Sequence, residues 1–205
     1  HSTDETWALI EKTARVEPRI CGYRLDGNHG QFTAIRAGLE RCDADWVVVM
    51  DGDLQELPEA IPALYQRAQS GHDLVLARKR LRRQPLVRRV LAAAYFRALN
   101  MLSRLHHEPG VGNFRLLSRA NVDWILEHGV NSWLFGLTGD PTRPKAIVDV
   151  DHAPRFAGTT SYRWSRRVNM ALEGIACGWF GAPVVSGLPP RHRVIAQTDS
   201  KSADP

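Results

Sequence analysis

Cysteine is scarce in this sequence. Cys21, Cys42 and Cys177 are odd in number, and none lies at the spacing of a metal site. That excludes a disulfide scaffold and a cysteine-ligated zinc module, and it suits a reducing compartment. Long apolar runs are missing too. The uncharged run over residues 174–188 carries four glycines and a proline. It falls short of the roughly 20 residues that a spanning helix needs, so it belongs in the core or in a membrane interface. No secretory leader is legible. Acid is missing from one stretch: residues 78–104 hold nine basic side chains and no Asp or Glu. Such a stretch favours diphosphates, an anionic lipid surface or nucleic acid. Aromatic residues are not interleaved with these cations as in a single-strand binder, so nucleic acid is not expected as a partner.

What remains is ordinary for a globular chain. At 205 residues and 43% apolar content there is material for one domain with a sizeable core. The expected division is a folded domain over residues 1–188 and a disordered polar tail over 189–205.

The most informative segment is Asp51-Gly52-Asp53-Leu54-Gln55. It follows Trp46-Val47-Val48-Val49-Met50, an uncharged run that predicts a strand buried on both faces. The strand ends by presenting two carboxylates two positions apart, a spacing that puts strand-like residues on one side. Gly52 has no side chain, so a ligand can approach the backbone. Two carboxylates suit a hard divalent cation that also holds phosphate oxygens. By itself Asp-Gly-Asp is a common solvated turn. Here a helix follows, opened by Pro58 and carrying Ile61, Leu64, Tyr65 and Ala68 at helical spacing. Strand, acidic turn and helix together make an α/β ligand site.

The rest of the pattern alternates strands and helices. Ser2 and Glu5 predict a capping box before a helix with Trp7, Ile10 and Ala14 on one face. A short strand is expected within 19–25, a helix over 31–41 with Phe32, Ile35 and Leu39 inward, and strands at 73–77, 111–117 and 146–150. Helices are expected over 58–69, 87–105, 121–128 and 161–177. This alternation predicts a parallel sheet.

An ordered set of short motifs carries a resemblance. Ser2-Thr3-Asp4-Glu5-Thr6, Asn28-His29-Gly30-Gln31, Val49-Met50-Asp51-Gly52-Asp53-Leu54-Gln55, Gly112-Asn113-Phe114-Arg115-Leu116 and Arg155 with Gly158, Ser161 and Tyr162 follow one another in the chain. Together they resemble family 2 glycosyltransferases, in the branch of dolichyl-phosphate mannose synthases and bactoprenol glucosyltransferases. The resemblance implies an α/β, GT-A-like (Rossmann-like), mostly parallel sheet flanked by helices. Family members open with two strands and a nucleotide-binding Asp-Asp-Gly-Ser turn, and many close with two membrane-spanning helices. Neither is present in these residues, so the chain is expected to be a fragment truncated at both ends, with the N-terminal strands missing.

The resemblance also implies roles. Asp51 and Asp53 would be the catalytic residues and, with Gln55, the ligands of Mg²⁺ or Mn²⁺. The metal would neutralise the departing nucleoside diphosphate as a Lewis acid. Asn28, Gln31, Gln55, Arg155 and Ser161 would hold the nucleotide-sugar donor and its phosphates. Arg78 and Arg80, just after a strand, would hold an anionic acceptor, a polyprenyl phosphate or a glycan, in peripheral contact with the cytoplasmic face of a membrane. The family often carries an acid near the Gly112 segment, where this chain has Gly110 and Asn113. A phosphate acceptor is already ionised at neutral pH and needs no base; a sugar hydroxyl needs one, with Glu108 and His107 nearby. His152 has no partner His or Cys at ligand spacing and reads as structural. The alternatives are a sugar-phosphate nucleotidyltransferase, whose Gly-rich phosphate loop is not found in these residues, and a non-catalytic basic protein of the membrane surface.

Overall fold

The computed structural model describes residues 4–80, 110–128, 139–153 and 194–198, with helical positions at 90, 94, 97, 100 and 101. These residues fall into two compact units, 1–41 with 190–205 and 42–189.

In the first unit α1 (Thr6–Val16) buries Ala14, and α2 (Gln31–Leu39) buries Thr33, Ala37 and Leu39. Ser2 lies outside the described residues. The start of α1 is served instead by Asp4, whose carboxylate accepts the Thr6 N–H at 3.0 Å. Strand β1 (Tyr23–Leu25) pairs antiparallel with β6 (Val194–Gln197). Gly22 and Thr198 extend the pairing: the Gly22 N–H donates to Thr198 Oγ1 at 2.8 Å, and the Thr198 N–H donates to the Gly22 carbonyl at 3.0 Å. This corrects the expectation of a disordered polar tail for residues 194–198. The tail's composition hid a four-residue strand that needs a partner distant in sequence.

The second unit is built on a four-stranded sheet in the order β2-β4-β3-β5. Its strands are β2 (Trp46–Val49), β3 (Leu74–Lys79), β4 (Val111–Ser118) and β5 (Lys145–Val150). β3 and β5 are parallel, and β4 is antiparallel to both β2 and β3. Three of the four strands therefore run one way, and β4 is a reversed strand inserted between β2 and β3. Local pattern cannot reveal this insertion, because β4 reads as one more strand and its direction depends on partners distant in the chain.

One face of the sheet carries α3 (Ile61–Gln69), reached through a 3₁₀ turn at Pro58–Ala60. Leu64 and Ala68 of α3 join Val75, Ala77, Phe114, Leu116, Ala146 and Val150 in one buried cluster, with Trp46, Val48 and Met50 packed against it. Those sheet positions alternate along each strand, as period two requires. The other set, Leu74, Leu76, Arg115 and Leu117, is also buried, as are Val122 and Ile125 of α4 (Arg119–Glu127). Ser118 caps α4, its hydroxyl accepting the Asn121 N–H at 3.4 Å. β2 stands at one end of the described sheet, and its four residues are only half-buried. The expectation of burial on both faces is corrected there: an outer strand is covered on fewer sides than a central one.

Candidate functional site

β2, β3 and β5 all end at one edge of the sheet, and the reversed β4 begins there. The carboxyl ends of parallel strands are where open α/β sheets bind ligands. Four short segments converge on that edge: residues 50–56, 79–80, 110–113 and 151–153.

The acidic turn is held from several directions. Gly52 and Asp53 are already in the turn, so strand alternation does not aim Asp53; the turn does. The Gln55 N–H donates to Asp53 Oδ1 at 3.2 Å, a side-chain closure typical of Asp. Leu54 takes a left-handed backbone, φ +59°, and leaves 63% of its surface exposed. A non-glycine residue there costs about 1–2 kcal/mol, which surrounding contacts must offset. The Asp51 N–H donates to Glu56 Oε2 at 2.7 Å. Glu56 in turn forms an antiparallel bridge with His152, and the Ala153 N–H donates to the Gln55 carbonyl at 3.0 Å.

Side chains from β4 complete the arrangement. Asn113 Nδ2 donates to Asp51 Oδ1 at 3.2 Å. Arg115 donates through Nε to the Asn113 carbonyl at 2.9 Å, and through a terminal nitrogen to Asn113 Oδ1 at 3.2 Å. Arg115 is only 3% exposed. Burial lowers its pKa to about 10, against the opposing pull of Glu56 and Asp51, so it remains a cation at neutral pH. Burial also raises the pKa of Glu56, and the charges of Asp51 and Asp53 add to the rise, while the Asp51 N–H opposes it.

Beside Glu56 lies a cleft of about 200 Å³ lined by Glu56, Ala77, Lys79, Gly110, Val111, Gly112, Phe114, Val150, Asp151 and His152. Lys79 faces this cleft. Arg78, one residue earlier, is on the opposite face of β3, where it pairs with Asp149 through two bonds of 2.6 and 3.2 Å. That pairing holds Asp149 below the usual carboxylate range. Arg80 approaches Asp151 at 4.0 Å. Gly110 has φ +82°, and a Cβ there would sit 3.1 Å from the Lys79 carbonyl oxygen. Any residue with a side chain at 110 would take a strained backbone and press the end of β3 by a few tenths of an ångström.

Asn28 and Gln31 belong to the first unit. Asn28 Oδ1 accepts the Gly30 N–H at 3.2 Å, and Gln31 is the first residue of α2. Arg155, Ser161, Glu108 and His107 lie outside the described residues. Sequence reasoning missed Glu56, Lys79 and the roles of Asn113 and Arg115. The signal for the last two was the register: Val49 lies opposite Arg115, and continuing it by two residues sets Asp51 opposite Asn113.

Among the described residues no three His, Cys, Asp or Glu side chains gather into a metal cage. The two aspartates fit a different arrangement, in which one or two carboxylates share a hard cation with the phosphates of a substrate. Gln55 adds a neutral oxygen of the same hard type.

Comparison with known proteins gives the family and the fold. The model of the family described as "Glycosyl transferase family 2" matches residues 1–126. The chain belongs to glycosyl transferase family 2. Over 183 residues it is 33% identical to a prophage bactoprenol glucosyl transferase homolog of Escherichia coli K12, covering 85% of this chain and 58% of that protein. It is 28% identical over 182 residues to an undecaprenyl-phosphate 4-deoxy-4-formamido-L-arabinose transferase of Proteus mirabilis, covering 86% of this chain and 55% of that protein. The chain thus spans somewhat over half the length of these curated relatives. In fold it resembles glucosyl-3-phosphoglycerate synthase of Mycobacterium tuberculosis, solved with Mn²⁺, uridine-diphosphate-glucose and phosphoglyceric acid. That likeness has a TM-score of 0.51 at 17% identity and covers 98% of this chain and 76% of that one. The fold of this family 2 chain is therefore the α/β GT-A type, with the reversed β4 as its departure from a purely parallel sheet.

Proposed function

We propose that the protein is a metal-dependent glycosyltransferase moving a sugar from a nucleotide-diphosphate donor to a polyprenyl phosphate. The observation that carries this reading is the Asp51–Asp53 turn at the carboxyl end of β2, fixed by Glu56 and Asn113 beside a cleft that holds a lysine. The names of the curated relatives point to polyprenyl-linked acceptors, and a protein of the same fold has been solved with Mn²⁺ and a nucleotide-sugar.

In this reading Asp51, Asp53 and Gln55 hold Mg²⁺ or Mn²⁺, which supplies charge neutralisation at the donor's diphosphate. Asn28, Gln31, Arg155 and Ser161 contribute to donor binding. Lys79, with Arg78 and Arg80 as further cations of the same strand end, attracts the acceptor phosphate. An acceptor phosphate oxygen forms the new bond to the sugar's anomeric carbon as the bond to the nucleoside diphosphate breaks. The attacking oxygen is already ionised at neutral pH, so no side chain has to remove a proton. This agrees with a chain that carries Gly110 and Asn113 where the family often has an acid.

Peripheral membrane contact belongs to the same reading. Val90, Ala94, Arg97 and Met101 recur at helical spacing, and all four are exposed. Among the described residues no helix is long and apolar enough to cross a membrane. The test is transfer of labelled glucose from UDP-glucose to a polyprenyl phosphate in detergent with Mn²⁺. Label in the lipid phase, lost with chelator, supports the reading. Release of free glucose at the same rate with and without acceptor contradicts it.

A further inference from the structure

We infer that Arg115, acting through Asn113, is a positioning residue that fixes the carboxylate of Asp51. This rests on the assignment of Asp51 as a metal ligand and goes beyond it.

The chemistry of the three groups allows one arrangement. A guanidinium can only donate hydrogen bonds, and an ionised carboxylate can only accept them. Asn113 lies between the two. Its carbonyl and its amide oxygen both accept from Arg115, at 2.9 and 3.2 Å. Its amide nitrogen must therefore face Asp51, which it does at 3.2 Å from Oδ1. Rotating the amide by half a turn would set donor against donor at Arg115 and acceptor against acceptor at Asp51. Arg115 thus locks the orientation of Asn113, and Asn113 locks the carboxylate.

The placement follows from the strands. Arg115 and Asn113 are two apart on β4 and share a face. Arg115 pairs with Val49, the last residue of β2, and the chain then leaves the strand toward Asp51. Lysine at 115 would keep the charge and lose the planar fork that grips two oxygens of one residue.

Outer partners of metal-ligating carboxylates commonly change metal affinity by about 10-fold or more when removed. Mn²⁺ alone is the probe, titrated calorimetrically into wild type, Asp51→Ala, Asn113→Ala, Arg115→Lys and the Asn113→Ala/Arg115→Lys double variant, with thermal melts alongside. Asp51→Ala should abolish the binding; if it does not, Asp51 is no ligand and both assignments fall. With Asp51 confirmed, Asn113→Ala should weaken Mn²⁺ by about 10-fold, and unchanged affinity overturns the positioning role alone. Arg115→Lys should weaken binding in the wild-type background and not in the Asn113→Ala background. Equal losses in both backgrounds would show that Arg115 acts by another route and overturn the inference. If Arg115→Lys does not fold, Asn113→Ala alone decides.

Discussion

Glu56 accepts the backbone N–H of Asp51 at 2.7 Å, closing the acidic turn on itself. The carboxylate that closes the turn also lines the neighbouring cleft. Replacing Glu56 by Ala removes the acceptor of a half-buried N–H and should cost about 1–3 kcal/mol. Glu56→Gln keeps an acceptor and should cost less. Denaturant melts of the two variants check this; equal losses would mean that the bond contributes little.

The same residue makes a pH prediction. Burial and the charges of Asp51 and Asp53 raise its pKa above the ordinary 4.5. The folded protein then holds a proton that the unfolded chain has released. Stability from this group is fully present below the unfolded value and is lost as pH rises through the folded one. In metal-free buffer, Glu56→Gln should therefore gain stability relative to wild type as pH rises from the ordinary 4.5 through the higher folded value. A difference that is flat or falls with pH would contradict the burial of an acid at this point.

Gly110 ties β4 to the end of β3. Alanine there must adopt φ +82° with its Cβ 3.1 Å from the Lys79 carbonyl oxygen. Gly110→Ala is expected to lose about 1–3 kcal/mol and to disturb Lys79. Leu64→Ala, which empties a fully buried position of α3, should cost about 2–5 kcal/mol while leaving the acidic turn in place. Chemical denaturation gives the two losses, and the KM for a polyprenyl phosphate should rise in the first variant and hold in the second under conditions where both are folded.

Lys79 faces the cleft, whereas Arg78 is paired with Asp149 on the other side of the strand. Lys79→Ala should raise the KM for a polyprenyl phosphate by about 10-fold, the loss of one charge-assisted contact. Arg78→Ala should change it much less. The reverse order would return the acceptor contact to Arg78.

Much of this was legible in the sequence because it is local. The uncharged run before Asp51, the Pro58 opening and the spacing of Leu64 and Ala68 each set their element without distant help. The sheet order was not legible. β4 reads as one more strand, and nothing in its own residues says that it runs backwards between β2 and β3. The pairing of β1 with β6 joins residues far apart in the chain, and polar composition concealed the second partner. In the site, Asp51 and Asp53 stood out by chemistry and position. Asn113 and Arg115 did not, because their link to Asp51 exists only through strand register. Lys79 was passed over for Arg78 and Arg80, since a run of cations does not say which one faces the cleft until strand alternation is fixed.

The most direct test is calorimetric titration of UDP-glucose into the 205-residue chain with Mn²⁺, with chelator, and with Mn²⁺ in the Asp53→Ala variant. Wild type is expected to bind only when Mn²⁺ is present, and Asp53→Ala is expected to lose that binding while melting cooperatively like wild type. Equal UDP-glucose affinity in all three titrations would show that Asp51 and Asp53 hold no metal for a nucleotide-sugar.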